Sequence, residues 1–272
     1  MILARLIPKH SKKYTNFNKD ISVHAELIEK YNVINLFSVW IITASGFSYM
    51  LGQIDRYSYW DWSAYTDGII RLILSTILFY LSSKNKILKI SNNRLIYSDL
   101  IINVVIYSMF FLIGAVNISM IEINILGFLP YVFAIVGGIA IYEFKISYDK
   151  ENDNWIIDSW DNMVSYLSLS FILMIVSAVF GYNLDDPIIS TVSMVSLFFP
   201  AVALIWPNHV RHIKRLQFYP LFILAMFTCV RSPWFLIILG TLFFIIRSIN
   251  YLKYGITYPS FGVAQEETLA DV

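Results

Sequence analysis

Long apolar runs recur along almost the whole chain, and short polar connections separate them. Several runs approach the roughly 20 residues that an α-helix needs to cross the hydrocarbon core of a bilayer. Hydrophobic residues make up 57% of the 272 residues and charged residues only 14%, whereas an average soluble domain has about 25% charged residues. A water-soluble fold of this size would leave too much apolar surface exposed. The sequence therefore predicts an integral membrane protein.

Eight of the apolar runs are candidate membrane segments. They are too long and too uniformly apolar for the strands of a membrane barrel, in which apolar and polar residues alternate. An α-helix is the only open-ended structure that satisfies its backbone polar groups in lipid. We therefore predict an all-α polytopic bundle of about eight transmembrane helices. The predicted segments are residues 34–51, 69–81, 100–120, 123–142, 163–182, 188–206, 217–230 and 234–252.

The distribution of lysine and arginine predicts how this bundle is oriented. When the connections are assigned to alternate sides, one side carries 17 basic residues and the other carries 3. Cytoplasmic loops carry the excess of basic residues, so both termini are predicted to be cytoplasmic. The expected organisation is a basic tail (1–32) with a surface helix around 21–30, one bundle (33–254) and a flexible tail (255–272). A polar link within the bundle, residues 143–161, is also expected on the cytoplasmic side.

The stretch FTCVRSPWF, between the last two segments, contains the only cysteine, Cys229, and the cation Arg231. One interpretation is a turn at the membrane surface, where arginine reaches the lipid headgroups. The other is a re-entrant hairpin, because both flanking runs are short. That hairpin would place Arg231 and Cys229 inside the protein, where buried charges tend to be functional. Charge counting does not separate the two, because both leave the C-terminus on the same side.

The first predicted outer loop, DRYSYWDWSAYTDG, mixes aromatic and acidic residues. Tryptophan and tyrosine are common at the level of the lipid headgroups, so an interfacial belt is one interpretation. The alternative is a gate for a solute or cation, because aromatic faces and carboxylates both attract cations. The candidate solute-binding residues are Asp55, Trp60, Asp61, Trp62 and Asp67.

Two histidines in the cytoplasmic stretch WPNHVRHIKRL suggest an enzymatic alternative. On a helix, His209 and His212 share one face and, with a carboxylate, could bind a transition metal or activate water. The basic residues around them favour contact with phospholipid headgroups instead, and we predict no metal. The weak catalytic candidates are His209, His212, Arg231 and Cys229, with Arg211, Asp158 and Asp161 as further residues of a site for a lipid-linked substrate.

The link between the fourth and fifth segments contains Trp155, Ile156 and Trp160. These residues predict a short amphipathic stretch that lies on the membrane surface.

The function expected from the sequence is non-enzymatic. The chain contains no phosphate-binding loop, zinc-protease motif or nucleophile elbow, and a net charge of +1 gives no reason to expect nucleic acid as a partner. We predict a permease-like or channel-like protein, or a membrane subunit of a larger complex, without a cofactor. The alternatives are an enzyme for a lipid-linked substrate at the cytoplasmic face and a membrane sensor or assembly factor. The expected location is a bacterial inner membrane, with lipids and other membrane subunits or a second copy as partners.

Overall fold

The computed structural model shows a bundle of helices whose bounds follow the predicted segments closely. It describes residues 2–85, 87–88, 97–117, 125–142, 146–149, 154–157, 163–206 and 210–255. Within these residues the helices are α1 (Ile2–Leu6), α2 (Lys12–Lys30), α3 (Val33–Ile54), α4 (Tyr65–Lys84), α5 (Tyr97–Ala115), α6 (Ile125–Tyr142), α7 (Met163–Asn183), α8 (Pro187–Ser196), α9 (Phe198–Ile205), α10 (Val210–Arg231) and α11 (Trp234–Tyr254).

Four spans of the described residues are long and apolar enough to cross a membrane: Tyr65–Lys84, Met163–Asn183, Pro187–Ile205 and Trp234–Lys253. Shorter apolar helices lie at Leu100–Ala115, Leu126–Ala140 and Pro220–Arg231. The fold is therefore helical, with apolar helices of the kind that membrane proteins contain.

The sixth predicted segment is irregular, because α8 and α9 meet at Leu197. Pro200 lies one turn into the second half and has no N–H with which to bond the carbonyl of Ser196. The helical path nevertheless continues, since the N–H of Leu197 still donates to the Ser193 carbonyl at 3.0 Å. The two short helices therefore act together as one apolar span.

Helix α3 lies at the centre of the bundle and packs against α4, α5 and α10. Every residue from 41 to 50 is buried. Its small residues permit unusually close crossings, as is common between membrane helices. A Cβ on Gly46 would lie 2.0 Å from the Phe111 carbonyl oxygen, and a Cβ on Gly114 would lie 1.9 Å from the Thr43 carbonyl oxygen. The backbones of α3 and α5 are therefore in direct contact.

Two apolar clusters flank α3. One joins it to α5 and α6 through Tyr49, Phe111 and Tyr131. The other joins it to α4, α10 and α11 through residues that include Phe47 and Trp234. Because α3 contributes to both clusters, it fixes the positions of the surrounding helices.

The outward faces of these helices are also apolar. Ile73 and Ile77 on α4, Ile101 on α5, Ile172 on α7 and Phe244 on α11 are all more than half exposed. A soluble monomer rarely exposes large contiguous apolar patches. This surface is typical of helices that face lipid.

The connection between α6 and α7 contains two strands, β1 (Ile146–Asp149) and β2 (Asn154–Ile157), paired antiparallel. Trp155 and Ile156 of the predicted amphipathic stretch lie in β2, and the contact of this stretch with the membrane surface stays a prediction. Tyr148 pairs directly with Trp155, and aromatic and β-branched residues favour such cross-strand pairing. Trp160 lies outside the described residues.

Connections from distant parts of the chain meet at one end of the bundle, which we call the loop end. It comprises the α3–α4 loop (residues 55–64), the α7–α8 connection (184–186) and the α10–α11 turn (231–233). Arg56 of the first connection forms an ion pair with Asp185 of the second. The sequence predicts that these connections share one side of the membrane.

The opposite end, the tail end, holds the N-terminal helices against the end of α11. The Tyr14 hydroxyl donates to the Tyr251 carbonyl at 3.1 Å, and the Asn18 amide donates to the Leu252 carbonyl at 2.6 Å. Burial raises the pKa of Tyr14, and the nearby Tyr251 raises it further. The surface helix predicted around residues 21–30 is present, but it begins at Lys12.

Candidate functional site

Two arginine side chains are buried at the loop end. Arg71, in the first half of α4, is 9% exposed, and Arg231, the last residue of α10, is 4% exposed. Because arginine remains charged at every physiological pH, each guanidinium needs hydrogen bonds or an opposite charge. The two side chains differ greatly in the number of hydrogen bonds and ion pairs that the surrounding protein provides.

Arg71 is fully engaged. Its Nη1 donates to the carbonyl oxygens of Ile113, Gly114 and Val116 at 2.8, 2.9 and 2.8 Å. The last carbonyls of a helix have no partner within it, and a cation at this end is favoured by the helix dipole. Nε and Nη2 each donate to the Asp67 carboxylate at 3.1 Å. Arg71 therefore ties α4 to the end of α5.

Arg231 is compensated much less well. Its Nη2 donates to the Arg56 carbonyl at 3.2 Å, and its guanidinium carbon lies 5.3 Å from the centre of the Tyr59 ring. Its Nε has no hydrogen-bond partner, and no carboxylate of the described residues forms an ion pair with it. The absence of a side chain on Gly52 makes room for the guanidinium, because a Cβ there would lie 1.3 Å from Nη1.

The α3–α4 loop, residues 55–64, lies over Arg231, and we call it the covering loop. The Trp60 N–H donates to the Val230 carbonyl at 3.0 Å. Trp60 has a φ of 60°, a left-handed conformation that costs a residue with a side chain about 1 kcal/mol. The ion pair between Arg56 and Asp185 provides a further attachment, and both partners are about half exposed. A few local contacts thus hold a strained loop over a buried cation.

The three predicted acidic ligands all have local partners. Asp55 accepts from the Tyr57 N–H at 2.9 Å, and Asp61 accepts from the N–H and the hydroxyl of Ser63, both at 2.8 Å. These two bonds, the backbone one foremost, lower the pKa of Asp61. Asp67 is paired with Arg71. Within the described part of the chain, no group of three His, Cys, Asp or Glu residues is placed to hold a metal ion.

The two predicted tryptophans lie on the covering loop and are largely exposed, Trp60 by 58% and Trp62 by 48%. Such exposure agrees with the interpretation as an interfacial belt. It also leaves both rings accessible to a solute that approaches the loop end.

The other predicted site residues are not brought together with these. Cys229 is buried in the apolar cluster that contains Trp234 and Phe235. His209 lies outside the described residues, and of His212 only the helical backbone is described. The same holds for the remaining candidates of the enzymatic alternative. Arg211 is described only by its backbone, and Asp158 and Asp161 lie outside the described residues.

The two interpretations of FTCVRSPWF each describe part of what the structure contains. Helices α10 and α11 have 22 and 21 residues, which corresponds to roughly 30 Å each. The apolar part of α10 is the shorter stretch Pro220–Arg231, whereas Trp234–Lys253 is long and apolar enough to cross a membrane. Arg231 and Cys229 are nevertheless buried, as the re-entrant alternative requires. For Arg231, the covering loop supplies part of the burial, and the depth of the turn in the membrane stays a prediction.

Several residues of the loop end were not predicted as site residues. The Tyr131 hydroxyl donates to Asp186 at 2.7 Å, and Asp186 accepts from the N–H groups of Ile188 and Ile189 at the start of α8. The dipeptide Asp186-Pro187 carries a detectable signal, since aspartate at the N-cap followed by proline begins many helices. Gly52, Ser232 and Trp234 carry no comparable signal, because glycine, serine and tryptophan are all ordinary residues near the end of an apolar run.

Comparison of the chain with protein-family models, with curated proteins and with solved structures gives no match.

Proposed function

We propose that the chain is a non-enzymatic multi-pass protein of permease or channel type, with a solute-recognition site at the loop end. In this proposal eight segments cross a bacterial inner membrane, both termini are cytoplasmic and the loop end is outside. The apolar outward faces of the helices and the distribution of 17 and 3 basic residues support this arrangement. The meeting of the predicted outer connections at one end supports it further.

The buried and poorly compensated guanidinium of Arg231 is the observation that carries the recognition role. Charged side chains among membrane helices are rare, and they commonly mark the path of a substrate or ion. A purely structural arginine would be expected to resemble Arg71, whose donors reach three carbonyls and a carboxylate. The strained covering loop supports a site that opens toward the outer solution.

Uptake into proteoliposomes tests this role. We expect protein in phosphatidylcholine liposomes to admit at least one of three radiolabelled anions: acetate, succinate or phosphate. Arg231→Gln should reduce the initial rate at least tenfold, because it removes the buried positive charge on which the proposed recognition depends. The matched control is Arg5→Gln, which removes an exposed cation at the tail end and should leave the rate unchanged.

Two results would contradict the proposed role. One is the absence of uptake of all three anions by folded wild-type protein. The other is equal uptake by Arg231→Gln and wild type, which would show that the guanidinium takes no part in solute passage.

A further inference from the structure

The turn that begins at Arg231 contains several buried hydrogen-bond donors that have no acceptor. The unpartnered atoms are Nε of Arg231, Oγ of Ser232 and Nε1 of Trp234. All three residues are at least nine-tenths buried, with exposures of 4%, 0% and 5%. Buried donors almost always have a partner in native proteins. Of the nine such atoms among the described residues, three lie within these four consecutive residues, and one of the three belongs to a charged group.

The charge of Arg231 indicates that the missing acceptor is an anion. Arginine does not lose its proton when buried, so its charge persists. None of the described aspartates at the loop end forms an ion pair with Arg231. Asp67 pairs with Arg71 and Asp185 with Arg56, whereas Asp55, Asp61 and Asp186 accept hydrogen bonds from Tyr57, Ser63 and Tyr131.

The kind of donor narrows the chemistry of the anion. A guanidinium N–H, a hydroxyl and an indole N–H are directional donors, and a guanidinium binds planar or branched oxyanions especially well. Nη2 of Arg231 is already bonded to the Arg56 carbonyl, whereas Nε remains available. The positive charge of Arg231 disfavours a metal cation at this position.

We propose that residues 231–234 form a binding site for an oxyanion group, a carboxylate or a phosphate. This inference rests on the proposed function and names the class of ligand that the recognition site would bind. Arg231 supplies the charge, and Ser232 and Trp234 supply neutral donors. The covering loop must move to admit the ligand, because Tyr59 and the main chain at Arg56 contact the guanidinium.

Equilibrium binding tests the inference without any measurement of transport. Wild-type protein in phosphatidylcholine nanodiscs is heated with sodium acetate or sodium phosphate, and with sodium chloride at equal ionic strength as reference. A ligand that binds only the folded state raises the melting temperature in proportion to the logarithm of its concentration. We expect such a rise with acetate or phosphate, and we expect Arg231→Gln to abolish it.

Two conservative variants provide an independent measurement if Arg231→Gln does not fold. Ser232→Ala and Trp234→Phe each remove one donor, and phenylalanine keeps a ring beside Phe47 and Gly68. Each should weaken binding about tenfold, the typical effect of losing one hydrogen bond to a charged group. The control Trp206→Phe changes an exposed tryptophan outside the loop end and should not alter the affinity.

A second arm distinguishes a free anion from a lipid headgroup. If the phosphate belongs to a lipid, replacing phosphatidylcholine with phosphatidylglycerol should raise the melting temperature without added anion, and the rise should depend on Arg231. Absence of any Arg231-dependent shift in both arms would overturn the inference. Binding without uptake into proteoliposomes would contradict only the proposed transport role, so the two failures are distinguishable.

Discussion

The two buried arginines differ in their immediate partners. Arg71 donates three hydrogen bonds to the end of α5 and two to Asp67 on its own helix. Within the described residues, Arg231 donates one hydrogen bond and faces an aromatic ring. The two arginines are therefore both buried but differ in how many of their donors have a partner.

Loss of Arg71 should destabilise the protein strongly. In Arg71→Gln, the carbonyls of Ile113, Gly114 and Val116 lose their donor and Asp67 loses its partner. Removing one member of a buried ionic network typically costs about 3 kcal/mol or more. We expect a clear fall in the melting temperature of detergent-solubilised protein.

Arg56→Gln provides the comparison for Arg71→Gln. Its ion pair with Asp185 is about half exposed on both sides, and exposed pairs contribute about 1 kcal/mol or less. Equal losses of stability in the two variants would contradict the structural role assigned to Arg71.

At the scale of elements, the crossing of α3 and α5 organises the bundle. Gly46 and Gly114 bring the two backbones into contact, and the Ser45 hydroxyl lies 3.0 Å from the Thr228 hydroxyl on α10. Small residues and hydroxyl pairs of this kind hold membrane helices together where lipid provides no hydrophobic driving force.

Adding one methyl group to a glycine should destabilise the protein at this crossing but not at an open position on another helix. Gly114→Ala places a Cβ 1.9 Å from the Thr43 carbonyl, so the helices must separate. Overpacking of this kind costs about 2 kcal/mol or more. Gly240→Ala, on α11, meets no atom within 4 Å and should be neutral or stabilising by up to about 1 kcal/mol.

Thermal unfolding of the two alanine variants under the same conditions provides the measurement. If Gly114→Ala melted at the wild-type temperature, the close approach of α3 and α5 would be incorrect.

At the scale of the whole molecule, the two ends of the bundle should lie on opposite sides of the membrane. Tyr57, at the loop end, is 77% exposed, and Lys12, at the tail end, is also exposed. In intact cells, a membrane-impermeant maleimide should label Tyr57→Cys. It should label Lys12→Cys only after permeabilisation. The native Cys229 is 3% exposed and should remain unlabelled in both cases.

Labelling of both introduced cysteines in intact cells would exclude the predicted topology. Rapid labelling of native Cys229 would instead show that the covering loop and the adjacent helices leave the turn open.

Most of the helix positions could be predicted from the sequence, whereas little of the site could. Apolar runs determined the helices because hydropathy is a local property: the predicted segment 34–51 lies inside Val33–Ile54, and 234–252 lies inside Trp234–Tyr254. Arg231 was recognised as unusual for the same local reason. The antiparallel pairing of β1 with β2 was missed, because the pairing of Tyr148 with Trp155 is a contact between two strands that no local pattern specifies.

The sequence by itself determined a helical chain rich in membrane-type segments, and it predicts their orientation through the placement of lysine and arginine. Only the tertiary structure decided that the donors of Arg71 have hydrogen-bond partners and that the Nε of Arg231 has none. Arg231 meets the Arg56 carbonyl across 175 positions of sequence, and Arg71 meets the end of α5 more than 40 positions away. No local pattern encodes such contacts, because they depend on how the helices pack around α3.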